Sequence, residues 1–393
     1  MHEYNSHRIK TLIVNGSLQV GGAEMQIARL APQIDQRVFD VQVAYYNNVC
    51  DRPLEMLKAS GIPVRYLGDK TWSRRRYFKD AFIWMRNERF DLVHAWSSSA
   101  NHYARIPAIL AGVPVIIGGL RGKSGLDWVW PYAYSVMNLK CSGWIVNSIA
   151  MQEFAMKEMS FMKKAPIRVI RNGFDCGDEQ IFRRGEQTFY DKIKRGVPVI
   201  GIVGRLHPVK NHVMFLSMAK KISDGGFDAD YWIIGDGPER ASIESAIDRN
   251  GLHGKVHLLG LRDDVDVALS RMDLLVLTSR SESCPNVLLE AMRASLPVVA
   301  TNCTYLHEII HENVNGYVVP VDDVDTLAQR VRSIVCDQNK RIAMGESSRA
   351  LVKERFSIKA ATQDLEQAYR FFLKRTRKKR QLINAKLTHL ESC

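Results

Sequence analysis

No uninterrupted apolar run in this chain reaches the roughly 18 residues of a membrane-crossing helix. The nearest candidate, Ile106 to Leu120, is fifteen residues long and carries Pro107 and Pro114, which predicts a helix followed by a strand. The opening Met1-His2-Glu3-Tyr4-Asn5-Ser6-His7-Arg8 is polar and lacks the apolar centre of a secretory signal. Cysteine is scarce: there are seven, an odd number, scattered and without a Cys-x-x-Cys pair. That excludes a disulfide framework and predicts reduced thiols in a cytoplasmic protein. Zinc-ligand spacings, a recognition-helix pattern and an RNA-binding aromatic signature are also missing, so no nucleic-acid partner is expected. Internal repeats are absent as well.

What is present is enough for two cores. The chain has 393 residues, 46% of them hydrophobic, and exceeds the usual size of one domain. Strand-like runs alternate with helical patterns: Thr11–Asn15, Val41–Tyr45, Val64–Leu67, Leu92–Ala95, Val115–Ile117 and Trp144–Asn147, then Val199–Val203, Tyr231–Ile234, Val256–Leu259, Leu274–Thr278 and Val298–Ala300. Such alternation predicts an α/β fold with parallel sheets and crossover helices. It breaks once, between Asp175 and Val197, where the chain turns polar. The expected domains are therefore 1–180 and 181–357. The net charge of +13 is uneven, with eight basic residues against one acidic residue in 370–393. An anionic membrane surface suits such a basic tail, because each nearby Lys or Arg contributes about 1 kcal/mol there, and a merely solvated tail is the alternative reading.

The most informative segment is Ser281-Glu282-Ser283-Cys284-Pro285-Asn286-Val287-Leu288-Leu289-Glu290-Ala291-Met292. Pro285 suits a first helical position, with Ser283 or Cys284 as cap, and the apolar run predicts a helix ending near Ser295. Glu282 then lies on the loop before the helix and Glu290 in its second turn. The amides of Asn286 and Val287 would offer a phosphate the partial positive charge of a helix start. Elsewhere, Gly21-Gly22-Ala23-Glu24, Val169-Ile170-Arg171-Asn172-Gly173-Phe174-Asp175, Gly204-Arg205-Leu206 with Lys210-Asn211, Gly235-Asp236-Gly237-Pro238-Glu239 and Asp273 to Ser279 follow in order.

Together these resemble the Glu-x7-Glu signature and accompanying landmarks of retaining glycosyltransferases of the GT-B fold, in particular glycosyltransferase family 4. The resemblance covers most of the chain. It implies two doubly wound, Rossmann-like domains facing across a cleft, an acceptor-side domain first and a nucleotide-sugar domain second. It also implies a helix, 358–373, crossing back to the first domain before the tail, 374–393. Glu290 would hold the ribose hydroxyls and Glu282 those of the donor sugar. Arg205 and Lys210 would neutralise the leaving diphosphate in place of a metal. Pro285, Asn286 and Val287 would cradle phosphate, and Gly21 and Gly22 would let backbone approach the donor.

Three departures stand out. Ser283-Cys284-Pro285 replaces glycines common in the family, His94 is the only histidine of an expected His-x-His, and Arg121 stands where a histidine near the donor sugar is frequent. His94 and Arg121 are kept as donor-binding candidates. His207 and His212 are expected to be structural. The resemblance further implies no cofactor beyond a UDP- or GDP-linked sugar, which is a substrate, and a lipid-linked or oligosaccharide acceptor in surface polysaccharide synthesis. The basic Ser73–Lys79 and aromatic Asp127–Tyr134 segments suit an acceptor site at the inner face of the plasma membrane, with core packing as the alternative reading of the tryptophans. The competing readings are a nucleotide-sugar epimerase of the same architecture and a non-catalytic nucleotide or polyanion binder.

Overall fold

The computed structural model describes residues 8–47, 50–68, 74–122, 138, 140–159, 162, 165–175, 190, 196–282, 284–303 and 306–391. The Asp127–Tyr134 stretch, Ser73 and most of the polar Asp175–Val197 segment lie outside them. The chain forms two compact units, one of Met1–Gly173 with Ile358–Cys393 and one of Phe174–Ser357.

Among the described residues the first unit holds seven parallel strands. They are β1 (Ile9–Asn15), β2 (Phe39–Tyr45), β3 (Val64–Tyr66), β4 (Leu92–Ala95), β5 (Val115–Leu120), β6 (Gly143–Val146) and β7 (Ile167–Val169), in the order β3-β2-β1-β4-β5-β6-β7. The second holds six, β8 (Val199–Val203), β9 (Asp230–Ile234), β10 (Val256–Gly260), β11 (Leu274–Leu277), β12 (Val298–Thr301) and β13 (Gly316–Val319), in the order β10-β9-β8-β11-β12-β13. Every pairing is parallel. Strands covered by helices on both faces read as continuous apolar runs, and β11 (Leu-Leu-Val-Leu) and β12 (Val-Val-Ala-Thr) are buried throughout. In each unit the order reverses beside the first strand, between β1 and β4 and between β8 and β11. A doubly wound sheet opens a crevice for ligands beyond its strand ends at such a point.

Strands β7 and β13 were not among the expected runs. Both are short; in β7 the exposed Arg168 interrupts two half-buried aliphatic residues, and β13 opens on a glycine. The final helix also differs from expectation. It is continuous over Ile358–Glu391, so the basic residues after Leu373 prolong it. No Gly or Pro interrupts this span, and Lys, Arg, Gln, Leu and Ala are good helix formers. Its first half buries Leu365, Tyr369 and Phe372 completely in the first unit's core. At about 1.5–3 kcal/mol per large apolar side chain, these three anchor it.

Candidate active site

The second unit concentrates its chemistry at the β8/β11 reversal. Beyond β8, Gly204 and Arg205 begin a loop that passes through a short turn at Pro208–Lys210 and ends at Asn211, which adopts a left-handed conformation (φ 53°). Beyond β11, Thr278 and Ser279 lead to Glu282. Lys210 Nζ donates to Glu282 Oε1 at 2.5 Å, and Ser279 Oγ donates to the same oxygen at 2.8 Å. The pair is partly withdrawn from solvent, with side chains 23% and 13% exposed. Thr278 ties the loops together, its hydroxyl lying 2.9 Å from the Lys210 carbonyl and 3.0 Å from that of Asn211. The Arg280 amide donates to the Val209 carbonyl at 2.8 Å.

Arg205 sits at the opposite end of the loop, exposed and without an ion pair among the described residues. Its backbone is fixed by the Gly235-Asp236-Gly237 turn, through Gly204 N–H to the Ile234 carbonyl (2.9 Å) and Leu206 N–H to the Asp236 carbonyl (3.0 Å). Gly235 is required there: its φ is +137° and a Cβ would fall 2.0 Å from the Gly204 carbonyl oxygen. His207 accepts from the Val209 amide and caps the turn. His212 is fully buried, and desolvation, reinforced by Lys210, pushes its pKa down to about 4. Both histidines are therefore structural.

The helix after Glu282 spans Asn286–Arg293, one residue later than expected, because Pro285 is its extended N-cap (φ −72°, ψ 105°). Leu288, Leu289, Ala291 and Met292 bury one face, and Glu290 is half-buried beside them. Asn286 and Val287 form the first turn. The helix is closed by Ser295 in a left-handed conformation (φ 62°).

The remaining candidates belong to the first unit. Gly21 caps the helix Gly22–Leu30, and a Cβ on it would lie 2.5 Å from Glu24 Oε2. Glu24 Oε1 accepts from Asn15 Nδ2 at 2.8 Å, and Asn15 Oδ1 accepts from Ser97 Oγ at 2.6 Å, joining the ends of β1 and β4. Burial raises the Glu24 pKa. Arg121 stacks 3.8 Å over the Trp96 ring and donates to Asn172 Oδ1 at 3.1 Å. His94 is fully buried in β4, with Nδ1 3.0 Å from the Tyr369 hydroxyl of the final helix. Burial and then Arg121 hold its pKa well below the ordinary range, so it is a neutral core residue.

Three contributors were given no role from the sequence. Thr278 and Ser279 fell within a landmark read only as the end of an apolar strand and the residue after it, and their polarity at the end of such a run was the available signal. Asp322, beyond β13, accepts hydrogen bonds from both loops of the site and had no motif to announce it.

The family described as Glycosyltransferase Family 4 matches residues 20–178, and that described as Glycosyl transferases group 1 matches residues 197–337. The UDP-Gal:alpha-D-GlcNAc-diphosphoundecaprenol alpha-1,3-galactosyltransferase of Escherichia coli is 26% identical over 302 residues, spanning 72% of this chain and 76% of that protein. The capsular polysaccharide biosynthesis glycosyltransferase CapM of Staphylococcus aureus is 24% identical over 298 residues, with 72% and 77% covered. Among solved structures, Anabaena HepE in complex with UDP and glucose superposes with a TM-score of 0.77 at 21% identity, covering 92% of this chain and 99% of that one.

Proposed function

We propose that this chain, a family-4-type glycosyltransferase of the GT-B fold, moves a hexose, with retention of anomeric configuration, from a UDP- or GDP-linked donor to a lipid-linked or saccharide acceptor in surface polysaccharide synthesis. The observation that carries this reading is the Lys210–Glu282 pair at the β8/β11 reversal, followed immediately by the Asn286 helix start and Glu290. Negative charge grows on the diphosphate as the glycosidic bond breaks. Lys210 and Arg205 bind it more tightly as it does so, which lowers the barrier without a metal. Lysine has three ammonium protons, so Lys210 can keep its bond to Glu282 while donating to the leaving group. Glu282, held by Lys210 and Ser279 through Oε1, turns Oε2 to a sugar hydroxyl. Glu290 accepts hydrogen bonds from the ribose, and the amides of Asn286 and Val287, after Pro285, cradle the phosphates. Gly21, Gly22 and Arg121 are assigned to the donor sugar. In this reading the acceptor attacks the face from which the phosphate departs, and that phosphate takes the acceptor's proton.

A diphosphate-lipid acceptor is supported by the substrate of the Escherichia coli relative, and a uridine donor by the UDP and glucose in HepE. The protein is assigned to the cytoplasm, peripheral on the inner face of the plasma membrane. Among the described residues no helix is long and apolar enough to cross a membrane. The test is a panel of nucleotide sugars read by thermal shift, then transfer to polyprenyl-diphosphate sugars with the product anomer assigned by NMR, with and without chelator. Inverted product or strict metal dependence would overturn the mechanism, and interconversion of donors without acceptor would establish an epimerase instead. Glu290→Ala should weaken nucleotide binding about tenfold by calorimetry.

A further inference from the structure

Asp322 follows β13 and lies in neither of the two loops that carry Lys210 and Glu282, yet it touches both. Its Oδ1 accepts from Asn211 Nδ2 at 2.8 Å and from Arg280 at 2.9 Å. Asn211 is the residue after Lys210, and Arg280 is two before Glu282. Among the described residues only five non-glycine residues have positive φ, and Asn211 (53°) and Asp322 (63°) are two of them. Two strained conformations therefore meet in one hydrogen bond, and strain of this kind persists only where the surroundings hold it. The Arg280 contact is exposed on both sides, with side chains 51% and 57% accessible, and an exposed pair of that sort stabilises little. Asn211, by contrast, is only 5% exposed, so its bond to a carboxylate is the stronger half of the link. Arg280 and Asn211 both lower the Asp322 pKa, in keeping with a carboxylate held ionised.

We infer that Asp322 is a positioning residue for the transfer reaction, a clamp that fixes the Lys210 loop against the Glu282 loop so that the two side chains meet at 2.5 Å. It does not touch the substrates; it acts through Asn211 and Arg280. The inference rests on the roles given above to Lys210 and Glu282. Geometry at the reacting groups is costly to lose, since a displacement of about 1 Å can reduce a rate a hundredfold.

Asp322→Gly isolates the clamp from folding, because glycine is the residue best suited to a left-handed conformation. The melting temperature should change little, the relief of the left-handed strain offsetting in part the lost Asn211 bond. Turnover should fall about tenfold with the KM for donor changed less than about twofold, and Asp322→Asn, which keeps an acceptor oxygen and tolerates positive φ, should recover much of it. Amide exchange over 205–211 and 278–282 should quicken in Asp322→Gly, a readout independent of whether a substrate has been found. Asn211→Gly, which also keeps the left-handed backbone, combined with Asp322→Gly should lose less than the product of the single effects. Unchanged amide exchange in Asp322→Gly would overturn the clamp, as would turnover within twofold of the parent or fully independent losses. Parent protein inactive with every nucleotide sugar would instead overturn the proposed reaction, while the exchange measurement still decides the clamp.

Discussion

The two units share a strand order and differ in what they place where it reverses. Each buries a histidine near a cation, His94 near Arg121 and His212 near Lys210, and each keeps that histidine neutral. At β1/β4 the polar groups are consumed by the protein: Asn15 bonds Glu24 and Ser97, and Arg121 lies on Trp96 and bonds Asn172. At β8/β11 the charges are pushed outward on loops, with Arg205 exposed and Lys210 held by a single carboxylate. The same topology thus supports polar groups paired off within the protein in one unit and cations carried outward in the other, and the loops decide which.

The sharpest way to break this contrast is to remove cations from both places. Lys210→Ala and Arg205→Ala should each lower turnover by about a hundredfold or more, comparable with losing one oxyanion donor. Arg121→Ala should act mainly on the KM for donor and cost less than about tenfold in turnover, because its stacking and its bond to Asn172 already occupy it. Steady-state kinetics with one donor and a soluble acceptor analogue decides the matter. A loss for Arg121→Ala equal to that for Lys210→Ala would erase the functional distinction between the paired and the outward cations.

Much of this was legible in the sequence, for physical reasons. Buried parallel strands are apolar on both faces, so eleven of the thirteen appeared as runs between turn residues. Of the candidate site, the loop with Lys210 and the loop with Glu282 were legible because phosphate and sugar chemistry calls for such residue types near strand ends, and the two side chains do meet there. What stayed hidden was everything held by long-range contact. Asp322 lies 111 residues from Asn211 and 42 from Arg280, and no local pattern connects them. The setting of His94 was hidden as well, since the Tyr369 hydroxyl that meets it arrives from 275 residues away. The final helix ran past its expected end because a run of basic residues looks like a solvated tail and is equally a sound helix.

A smaller effect, on stability, sharpens the comparison of the histidines. His212 titrates near 6.5 when unfolded and at about 4 when folded. The unfolded chain therefore binds the proton first as pH falls, and the stabilisation that His212 gives in its neutral form is complete above about 6.5 and lost between there and about 4. The loss is on the order of 3 kcal/mol. His212→Leu should flatten the pH dependence of the second unit's melting temperature in that window, measured as the difference from the parent protein. Parallel curves for the two proteins would mean that His212 is not held neutral. Among the described residues neither ring nitrogen of His212 has a hydrogen-bond partner, so leucine leaves no orphaned group behind.

The smallest effect expected on catalysis, and the one that tests where the protein works, comes from the end of the final helix. Residues 374–393 carry seven basic residues and one acidic, and Lys374, Arg375, Arg377, Lys378 and Lys379 are exposed. The side chains that seat the helix, Leu365, Tyr369 and Phe372, all precede the cut, so truncation before Lys374 spares the first unit's core. Catalysis on a soluble acceptor analogue should stay within about twofold of the full chain. Binding to anionic vesicles should fall steeply, since several charges at about 1 kcal/mol each act together, and the difference should shrink at high salt as screening shortens their reach. Sedimentation with phosphatidylglycerol vesicles at two salt concentrations reads it. Equal binding by the two proteins would move the membrane contact to the helix Arg74–Glu88, where Arg76 and Lys79 are exposed.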